Sequence, residues 1–444
     1  MAALLRRKAE RIVRRLAESG HEALFAGGCV RDMVRGDRPH DYDVATDATP
    51  EEVQALFERT VAVGRKFGVV VVVVGDHQFE VATFRTESGY SDGRHPDEVR
   101  PGTAQEDALR RDFTINGLFY DPLRGEIIDY VGGQRDIREG FVRAIGEPDR
   151  RFAEDALRML RAVRFAARLG YEIEAQTEAA LHRHAHDIRR VSADRIRQEL
   201  ARILTGPDPG RALRLCRRTG LLGHILPEVD AMAGCEQPSQ FHPEGDVFEH
   251  TCAALDELEE PSAELAFGVL LHDVGKPPTR REAPDRTRFD LHDKVGARLA
   301  EDICERLHFA SESKDAIVEL VALHMKFAAV REMRESKLKR LLRNPRIDDH
   351  LELLRVDCLA SHGDLTNYRF CRHKLQSLEE EDIRPPRLLT GDDLIDLGYT
   401  PGPVFSGILE RVEDAQLEGE ISSREEALEL VRREFPRLRD TRSG

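Results

Sequence analysis

Two aspartates near the start of the chain are spaced for metal-dependent phosphate chemistry. Asp41 and Asp43 stand two positions apart in the segment HDYDVAT, so on a β-strand both carboxylates point to the same face. Two such acids repel each other unless a cation lies between them, and Mg²⁺ held by carboxylates and substrate phosphates is the usual solution. The spacing therefore predicts a Mg²⁺ site in which Asp41 and Asp43 are catalytic, orienting a hydroxyl group for in-line attack on a nucleotide α-phosphate. Glu80, in the segment FEVATFR, would supply a third carboxylate if its strand lies beside theirs.

A glycine pair precedes these acids and is suited to binding phosphate. Gly27 and Gly28 follow the strand-like run ALFA, and the absence of side chains lets their backbone N–H groups approach an anion. Arg31 follows at the start of a predicted helix. We therefore expect these three residues to hold the phosphates of a nucleotide.

A second set of residues, later in the chain, combines imidazoles with carboxylates. In chain order its members are His250, His272, Asp273, His292, His324 and Asp357. Nitrogen and oxygen donors together suit Mn²⁺, Fe²⁺, Co²⁺, Ni²⁺ or Zn²⁺ better than Ca²⁺, and one aspartate can bridge two such ions. Because a metal-bound hydroxide attacks phosphate esters, the pattern predicts a hydrolytic metal site. His242 is a weaker candidate ligand, Lys276 is a candidate phosphate contact, and the alternative is a helical scaffold without activity.

Four regions must position these residues. Residues 1–146 alternate short β-rich runs with helical stretches and are predicted to form a small mixed α/β head. Residues 147–236 carry Ala, Leu and Arg at helical spacing, with a break at Gly206–Gly210, and are predicted to form a helical neck. A second helical domain is expected at 237–375, and a proline-containing linker with a small helical tail at 376–444. A capping box is predicted at Ser423–Glu426, and another helix start at Thr390–Asp393. The predicted fold class is therefore α+β.

Composition and charge exclude several classes of protein. At 444 residues the chain is long enough for about two to four packed units. Its longest aliphatic run is Val69–Val74, which is too short to span a membrane, and the basic N-terminal segment lacks a signal-peptide pattern. Seven scattered cysteines form no disulfide or zinc-ribbon pattern, so we expect a cytoplasmic protein.

The charge is distributed unevenly along the chain. The formal net charge of −15 argues against a protein that coats nucleic acid with its whole surface. Between Arg150 and Arg218, however, 16 arginines face nine acidic residues. Within that stretch Arg158, Arg161, Arg164 and Arg168 recur at steps of three and four, which places them along one flank of a helix. On spacing alone such a stripe is a solvated helix face.

Several blocks, taken in order, resemble a known family. GGCVRD, DYDVAT, EVATFR, RRDFTINGLFYDP, YVGGQRDIREGFVRAIGEP, EDALRMLRAVRFAARLGYEIE and VSADRIRQEL are similar to the class II nucleotidyltransferases of the DNA polymerase beta superfamily, which include bacterial tRNA CCA-adding enzymes and poly(A) polymerases. LLHDVGKP resembles the central motif of the HD superfamily of metal-dependent phosphohydrolases, and the tail resembles the end of bacterial tRNA nucleotidyltransferases that carry an HD domain. One departure is His95, in GRHP, where the family pattern has a second arginine.

The resemblance assigns roles to matching residues. It implies that Arg111, Asp112 and Asn116 contact the sugar and phosphates of the incoming nucleotide, although Asp112 could instead cap a helix. It also assigns reading of the base to Asp155 and Arg158, which we expect to be neighbours on one helix face.

The chemistry of those two side chains agrees with that role. Cytosine and adenine both present an exocyclic amine beside a ring-nitrogen acceptor, which suits a carboxylate paired with a guanidinium, whereas guanine and uracil mismatch them. The alternative is an intrahelical ion pair. Arg161 completes the expected nucleotide-binding residues, and Arg164 and Arg168 are expected to bind RNA phosphates without reading sequence.

The predicted function is template-independent addition or repair of the 3′-terminal CCA of tRNA, or part of it, from CTP and ATP with Mg²⁺, with a further phosphohydrolase activity in the HD domain. The expected partners are the tRNA 3′ end and the two nucleotides, without a membrane. Poly(A) synthesis, addition of only C or only A, a phosphohydrolase whose head merely holds RNA, and a non-catalytic RNA-binding protein remain alternatives. The sequence leaves the oligomeric state and the HD metal open.

Overall fold

A computed structural model describes residues 2–62, 68–89, 97–237, 245–284, 287–378 and 384–436. The chain divides into two compact units, the first comprising Met1–Ala231 with Ile303–Phe309 and the second Met232–Asp302 with Ala310–Gly444. His95, His242 and most of the segment GRKFG lie outside the described residues.

The first half of the first unit is a mixed α/β head. Its helices are α1 (Ala2–Glu18), α2 (Gly28–Arg35), α3 (Pro50–Leu56), α4 (Ala104–Arg110) and α5 (Gly133–Glu139), with a 3₁₀ turn at Thr114–Asn116. Its strands are β1 (Ala23–Ala26), β2 (Asp43–Thr46), β3 (Thr60–Ala62), β4 (Val69–Val74), β5 (His77–Thr83), β6 (Arg85–Ser88), β7 (Glu98–Pro101), β8 (Leu118–Asp121), β9 (Glu126–Asp129) and β10 (Phe141–Val142). Seven of these strands form one sheet in the order β3-β4-β5-β2-β1-β8-β9.

The sheet register brings distant acids together. β1 and β2 are antiparallel with Ala26 opposite Asp43, so the glycine turn that follows β1 lies beside the start of β2. β5 runs parallel to β2 with Val44 opposite Val81, which places Glu80 next to Asp43. The strand of Glu80 therefore lies beside the strand of Asp43, as a third metal-binding carboxylate requires. Packing of helix α4 on this sheet buries an apolar core of Leu24, Ala26, Ala45, Phe84, Ala104, Ala108 and Phe119.

The rest of the first unit is helical. After α6 (Pro148–Glu154) and α7 (Leu157–Leu169), β11 (Glu172–Ile173) pairs with β10 in parallel. The remaining elements are α8 (Ala175–His184), a 3₁₀ segment at Ala185–Arg190, α9 (Ala193–Leu204), α10 (Pro209–Arg218), α11 (Leu222–Ile225) and α12 (Pro227–Asp230). The expected break at Gly206–Gly210 spans the junction of α9 and α10, where Asp208 has a left-handed backbone and caps α10, and the last two residues of the break already belong to α10.

The second unit is almost entirely helical. Its elements are α13 (Val247–Asp256), α14 (Ala263–Leu271), α15 (Lys276–Thr279), the short pair β12 (Arg281–Glu282) and β13 (Thr287–Arg288), α16 (His292–Arg306), whose last turn belongs to the first unit, α17 (Ser311–Leu323), a 3₁₀ segment at His324–Glu332, α18 (Glu335–Leu342), α19 (Ile347–Ala360) and α20 (Thr366–Ser377). Gly268 on α14 would place a Cβ 2.6 Å from Leu320 on α17, so the close packing of these two helices depends on glycine.

The C-terminal elements form a small core of their own. They are α21 (Gly391–Asp396), α22 (Pro403–Leu417) and α23 (Arg424–Glu434). Leu394, Ile408, Val412 and Leu430 lie at the centre of this core. The capping box predicted at Ser423–Glu426 is formed, and the helix start predicted at Thr390–Asp393 is also closed by a capping box, so both predicted helix starts are confirmed.

Candidate active sites

Three carboxylates line a cleft in the first unit. Asp41, Asp43 and Glu80 all face this cavity of about 1030 Å³, although β2 begins at Asp43, so Asp41 lies just before the strand and not on it as predicted. Burial, with Asp41 and Glu80 beside it, raises the pKa of Asp43 to about 6. The neighbouring carboxylates thus repel one another, and a divalent cation between them would relieve that repulsion. These residues therefore fit the predicted Mg²⁺ site.

The glycine turn lies against an arginine. Gly27 has a φ of 72° and its N–H donates to Leu118 O, while Gly28 opens α2. A Cβ on Gly27 would lie only 2.9 Å from Nη1 of Arg111. The positive φ favours glycine at position 27, and a side chain there would require Arg111 to move. The expectation that the Gly27 N–H faces an anion is wrong, because Leu118 O accepts it, so the turn offers a phosphate the Gly28 N–H and the neighbouring guanidinium.

A chain of hydrogen bonds links α2 to α7 behind the cradle. Arg31 Nη1 donates to Asn116 Oδ1 at 2.9 Å, and Asn116 Nδ2 donates to Asp112 Oδ1 at 3.2 Å. The other oxygen of Asp112 accepts from Nε and Nη2 of Arg161, at 2.9 and 2.6 Å. Although burial favours the neutral acid, Arg161 holds the pKa of Asp112 below its usual range. Asp112 caps no α-helix; its Oδ1 instead accepts from Phe113 N–H before a single 3₁₀ turn.

Asp155 and Arg158 both line the cleft, but not on one helix. The expectation that they share a helix face is wrong, because α6 ends at Glu154 and Asp155 is extended before α7 begins at Leu157. Asp155 Oδ1 accepts from Leu157 N–H, a local bond by which aspartate favours helix starts over helix interiors.

The two side chains are held by different partners and form no ion pair with each other in the described structure. Arg195 Nη2 donates to Asp155 Oδ2 at 2.7 Å, and Arg158 Nη1 donates to Glu154 Oε2 at 2.8 Å. Because Asp155 and Arg158 are anchored separately, the distance between them is not that of an ion pair. It can instead match the distance between the amine and the ring nitrogen of a base.

Arginines dominate the walls of the cleft. Those lining it are Arg31, Arg85, Arg110, Arg111, Arg158, Arg161, Arg164, Arg168, Arg195 and Arg202. Three of them surround the Phe165 ring, with the Arg164 guanidinium 4.3 Å from its centroid and those of Arg31 and Arg161 at 5.7 and 5.5 Å. Arg164 also donates to the buried Glu199. The predicted RNA-binding residue Arg168 lines both this cleft and an adjoining pocket that contains Arg202.

Sequence reasoning missed one organising residue of the cleft. Asp107 is buried on α4, and each of its oxygens receives two N–H groups from one arginine: Oδ1 from Arg110 at 2.8 and 2.6 Å, Oδ2 from Arg111 at 3.1 and 2.9 Å. Arg110 reaches Glu87 as well, and Arg111 reaches Asn116 O. An aspartate three and four positions before an arginine pair was the available signal.

The second unit gathers the predicted metal ligands into two overlapping groups. His250, His272 and Asp273 form one, and Asp273, His292 and His324 form the other; within each, the ligand atoms lie within 4.8 Å of one another. All five residues are buried. Asp273 belongs to both groups, as the prediction of a bridging aspartate requires.

Three of the imidazoles are oriented by the backbone. Nδ1 of His272, His292 and His324 lies 2.7, 2.9 and 2.6 Å from the carbonyl oxygens of Val269, Phe289 and Val321. A neutral imidazole that donates from Nδ1 presents the lone pair of Nε2 to the site.

The lone pairs of two of these rings then face each other. Nε2 of His292 and Nε2 of His324 are 3.2 Å apart. Burial, with His272 nearby, lowers the pKa of His324 to about 4, so a shared proton is disfavoured at neutral pH. Nε2 of His272 is buried and finds no hydrogen-bond partner among the described residues. Such a donor set fits metal ions of the nitrogen-preferring class.

Asp357 and Lys276 complete this site. Asp357 Oδ1 lies 3.0 Å from His250 Nε2, and Lys276 Nζ lies 2.6 Å from Asp273 Oδ2. Although burial favours the neutral acid, His272 and Lys276 hold the pKa of Asp273 well below its usual range. The carboxylate that both groups share is therefore ionised and available to a cation.

Three sequence families match successive parts of the chain. The Poly A polymerase head domain matches residues 23–143, a probable RNA- and SrmB-binding site of polymerase A matches 170–232, and the HD domain matches 246–353. Among curated proteins, the CCA-adding enzyme of Bacillus subtilis (strain 168) is 32% identical over 95% of this chain and 96% of its own length. This chain belongs to the CCA-adding enzyme family.

Other members of the CCA-adding enzyme family match over different lengths. The enzyme of Bacillus pumilus is 46% identical over 60% of this chain, an alignment that spans 62% of that protein. A crystal structure of the Bacillus stearothermophilus CCA-adding enzyme in complex with CTP superposes with a TM-score of 0.74 at 28% identity, covering 96% of this chain and 97% of that one. The predicted family, enzyme class and fold class are confirmed.

Among the described residues, no helix has both the length and the apolar character needed to cross a lipid bilayer.

Proposed function

We propose that this protein adds or repairs the 3′-terminal CCA of tRNA, using CTP and ATP with Mg²⁺. The observation that carries the proposal is one cleft in which three carboxylates, a glycine turn and an arginine-rich wall meet. Carboxylates suit a divalent cation, and the opposite wall suits a triphosphate and an RNA end. Membership of the CCA-adding enzyme family supports the same conclusion.

Asp41 and Asp43, with Glu80 beside them, would hold the Mg²⁺. When bound, this ion lowers the pKa of the attacking hydroxyl and neutralises charge that develops on the phosphate. The tRNA 3′-oxygen attacks the α-phosphorus, the bond to the bridging oxygen breaks, and pyrophosphate leaves. Gly28 donates its backbone N–H to phosphate and Gly27 lets the phosphate approach the turn, while Arg31 and Arg111 orient the nucleotide together with Asp112, Asn116 and Arg161.

Asp155 and Arg158 choose the base. The Asp155 carboxylate accepts from the exocyclic amine of cytosine or adenine, and Arg158 donates to the adjacent ring nitrogen. In the structure Asp155 Oδ1 accepts one hydrogen bond from Leu157 N–H and Oδ2 accepts one from Arg195. Each oxygen therefore keeps a lone pair for the base. Arg164 and Arg168 hold phosphates of the acceptor end without reading its sequence.

The proposed domain limits are 1–146 for the head, 147–236 for the neck, 237–375 for the HD domain and 376–444 for the linker and tail. We also place the protein in the cytoplasm, because its seven cysteines are all free and buried, as a reducing compartment allows.

Sizing of products on trimmed tRNAs tests the proposal. Transcripts that lack A, CA or CCA are supplied with CTP, ATP, UTP or GTP, singly and together, in Mg²⁺. We expect addition to stop at CCA, with UTP and GTP unused. A long oligo(A) product on several RNAs would favour a poly(A) polymerase, addition of C alone or A alone would limit the activity to part of the end, and absence of any product would refute the enzyme assignment.

We also propose a phosphohydrolase activity in the HD domain. The supporting observation is the buried pair of ligand groups that share Asp273, with the Nε2 atoms of His292 and His324 facing each other. A scaffold would have no reason to keep such unfavourable polar contacts in its core. His250, His272, Asp273, His292, His324 and Asp357 would hold Mn²⁺, Ni²⁺, Co²⁺, Fe²⁺ or Zn²⁺, and such ions supply a hydroxide at neutral pH. Bound transition metal and hydrolysis of 2′,3′-cyclic AMP support the proposal, whereas absence of both across these metals favours the scaffold.

A further inference from the structure

A cavity of about 550 Å³ opens beside the metal-ligand cluster of the second unit. Asp273, His292, His324 and Asp357 line part of it, and Gln237 and Lys276 line another part. The ligand cluster is built from residues that bind cations. Gln237 and Lys276 instead offer hydrogen-bond donors to the same space.

Lys276 is held between two acceptors. Its Nζ lies 2.6 Å from Asp273 Oδ2 and 2.6 Å from Gln237 Oε1. The side chain is almost fully buried, and its ammonium group lies 5.8 Å from the centroid of the Phe289 ring. An ammonium group has three N–H donors, so at least one remains for a further acceptor.

The contact with Lys276 fixes the orientation of the Gln237 amide. An ammonium group can only donate, so the atom of Gln237 that it contacts must be the oxygen. Nε2 is then the opposite end of the amide. This atom is buried and finds no acceptor among the described residues, of which Gln237 is the last before position 245. Leaving a buried donor unsatisfied destabilises the fold, so a ligand that accepts from it is favoured.

An anion in the cavity would satisfy both groups at once. The free donor of Lys276 and Nε2 of Gln237 come from adjacent side chains that line the same space as the metal ligands. A tetrahedral phosphoryl group has several oxygens, so one could face the cations while another accepts from these donors. A carboxylate substrate would offer only two.

We propose that Gln237 binds a phosphoryl oxygen of the substrate in the HD site and positions Lys276 to bind another. The proposal rests on the phosphohydrolase function proposed above and names its substrate class, a phosphate ester anion. Gln237 adds no charge of its own. Its contribution is a fixed donor and an acceptor that keeps Lys276 from turning wholly toward Asp273.

Gln237→Glu tests this with little change in shape. The variant keeps an acceptor for Lys276 but replaces the Nε2 donor with an oxygen that repels an anion. Gln376→Glu, at an exposed position of α20, introduces the same charge and serves as the control. The measurements are inorganic phosphate binding to the metal-loaded full chain by calorimetry, KM and kcat for 2′,3′-cyclic AMP, bound metal, and CMP incorporation.

We expect Gln237→Glu to weaken phosphate binding and raise KM by at least about tenfold, which corresponds to the loss of one hydrogen bond to a charged group. Bound metal, CMP incorporation and the control variant should match the wild type. Unchanged phosphate binding would overturn the inference, as would loss of metal together with binding, which would make Gln237 a structural residue. A wild-type protein that binds phosphate but hydrolyses no ester with any metal would refute the proposed function alone, and the phosphate affinities would still decide the role of Gln237.

Discussion

Gly27→Ala should abolish much of the nucleotide transfer while leaving the protein folded. The new Cβ would lie 2.9 Å from Arg111 Nη1, a distance that the guanidinium must relieve by moving away from the turn. Gly36→Ala is the matched control, because Gly36 also has a positive φ, 83°, but nothing lies within 4 Å of its Cβ position. The two variants therefore differ mainly in what the added methyl group touches.

The magnitude follows from the contacts of Arg111. Displacing one guanidinium from a phosphate removes a charge-assisted interaction of about 1.5–3 kcal/mol, so kcat/KM for CTP should fall about 10- to 100-fold. The unfavourable backbone at position 27 costs a further ~1–3 kcal/mol of stability, and the left-handed backbone at position 36 costs about 1–2 kcal/mol. For a unit of this size, each kcal/mol lowers Tm by about 2–4 °C.

The assay is CMP incorporation into tRNA lacking CCA, together with thermal unfolding of both variants. We expect both variants to melt a few degrees below the wild type, and only Gly27→Ala to lose incorporation. Equal losses of incorporation in the two variants, or wild-type kinetics in Gly27→Ala, would refute the reasoning that the bare glycine turn is the phosphate cradle.

Three further outcomes are expected. Asp107→Asn should raise KM for ATP about tenfold with a smaller change in kcat, because the neutral amide anchors Arg111 less firmly. Asp107→Glu should recover part of the loss. A fall in kcat alone would contradict this positioning role. His272→Ala should lose bound transition metal from the second unit, as measured by elemental analysis of the purified chain, and retention of the full wild-type metal content would contradict the proposed ligand set. Burial lowers the pKa of His350, so as the pH falls below about 6.5 the unfolded chain takes up a proton before the folded one does. The free energy of unfolding should therefore fall between pH 7 and 5, by at most about 1.4 kcal/mol per pH unit from this residue. His350→Gln should show a flatter pH dependence when stability is measured by urea unfolding. Parallel pH profiles for the wild type and His350→Gln would contradict that assignment.

The elements that position the sites could largely be read from the sequence. The strand at Asp43, the glycine turn and the helix starts at Thr390 and Ser423 are local patterns whose physics needs only neighbouring residues. The two ligand groups in the second unit were anticipated from residue types and chain order, although their members come from separate helices. The roles of these residues in chemistry remain predictions.

What the sequence did not reveal depends on breaks and on distant partners. Helical spacing suggested one helix through Asp155, whereas the side chain bonds to its own backbone and the helix restarts after it. Arg195 lies 40 positions from the carboxylate that it holds, and Gln237 lies 39 positions before Lys276. Periodicity carries no information on such long-range pairs, which only the packing of several elements sets.

Incorporation of CMP and AMP by Asp41→Ala and His272→Ala, measured side by side on tRNA lacking its 3′ end in Mg²⁺, tests the central claim most directly. We predict that Asp41→Ala loses at least about 1,000-fold in rate, the scale of several kcal/mol expected when a metal-binding carboxylate is removed, while His272→Ala adds CCA at the wild-type rate. Wild-type incorporation by Asp41→Ala would contradict the assignment of nucleotide transfer to the carboxylates beside the glycine turn.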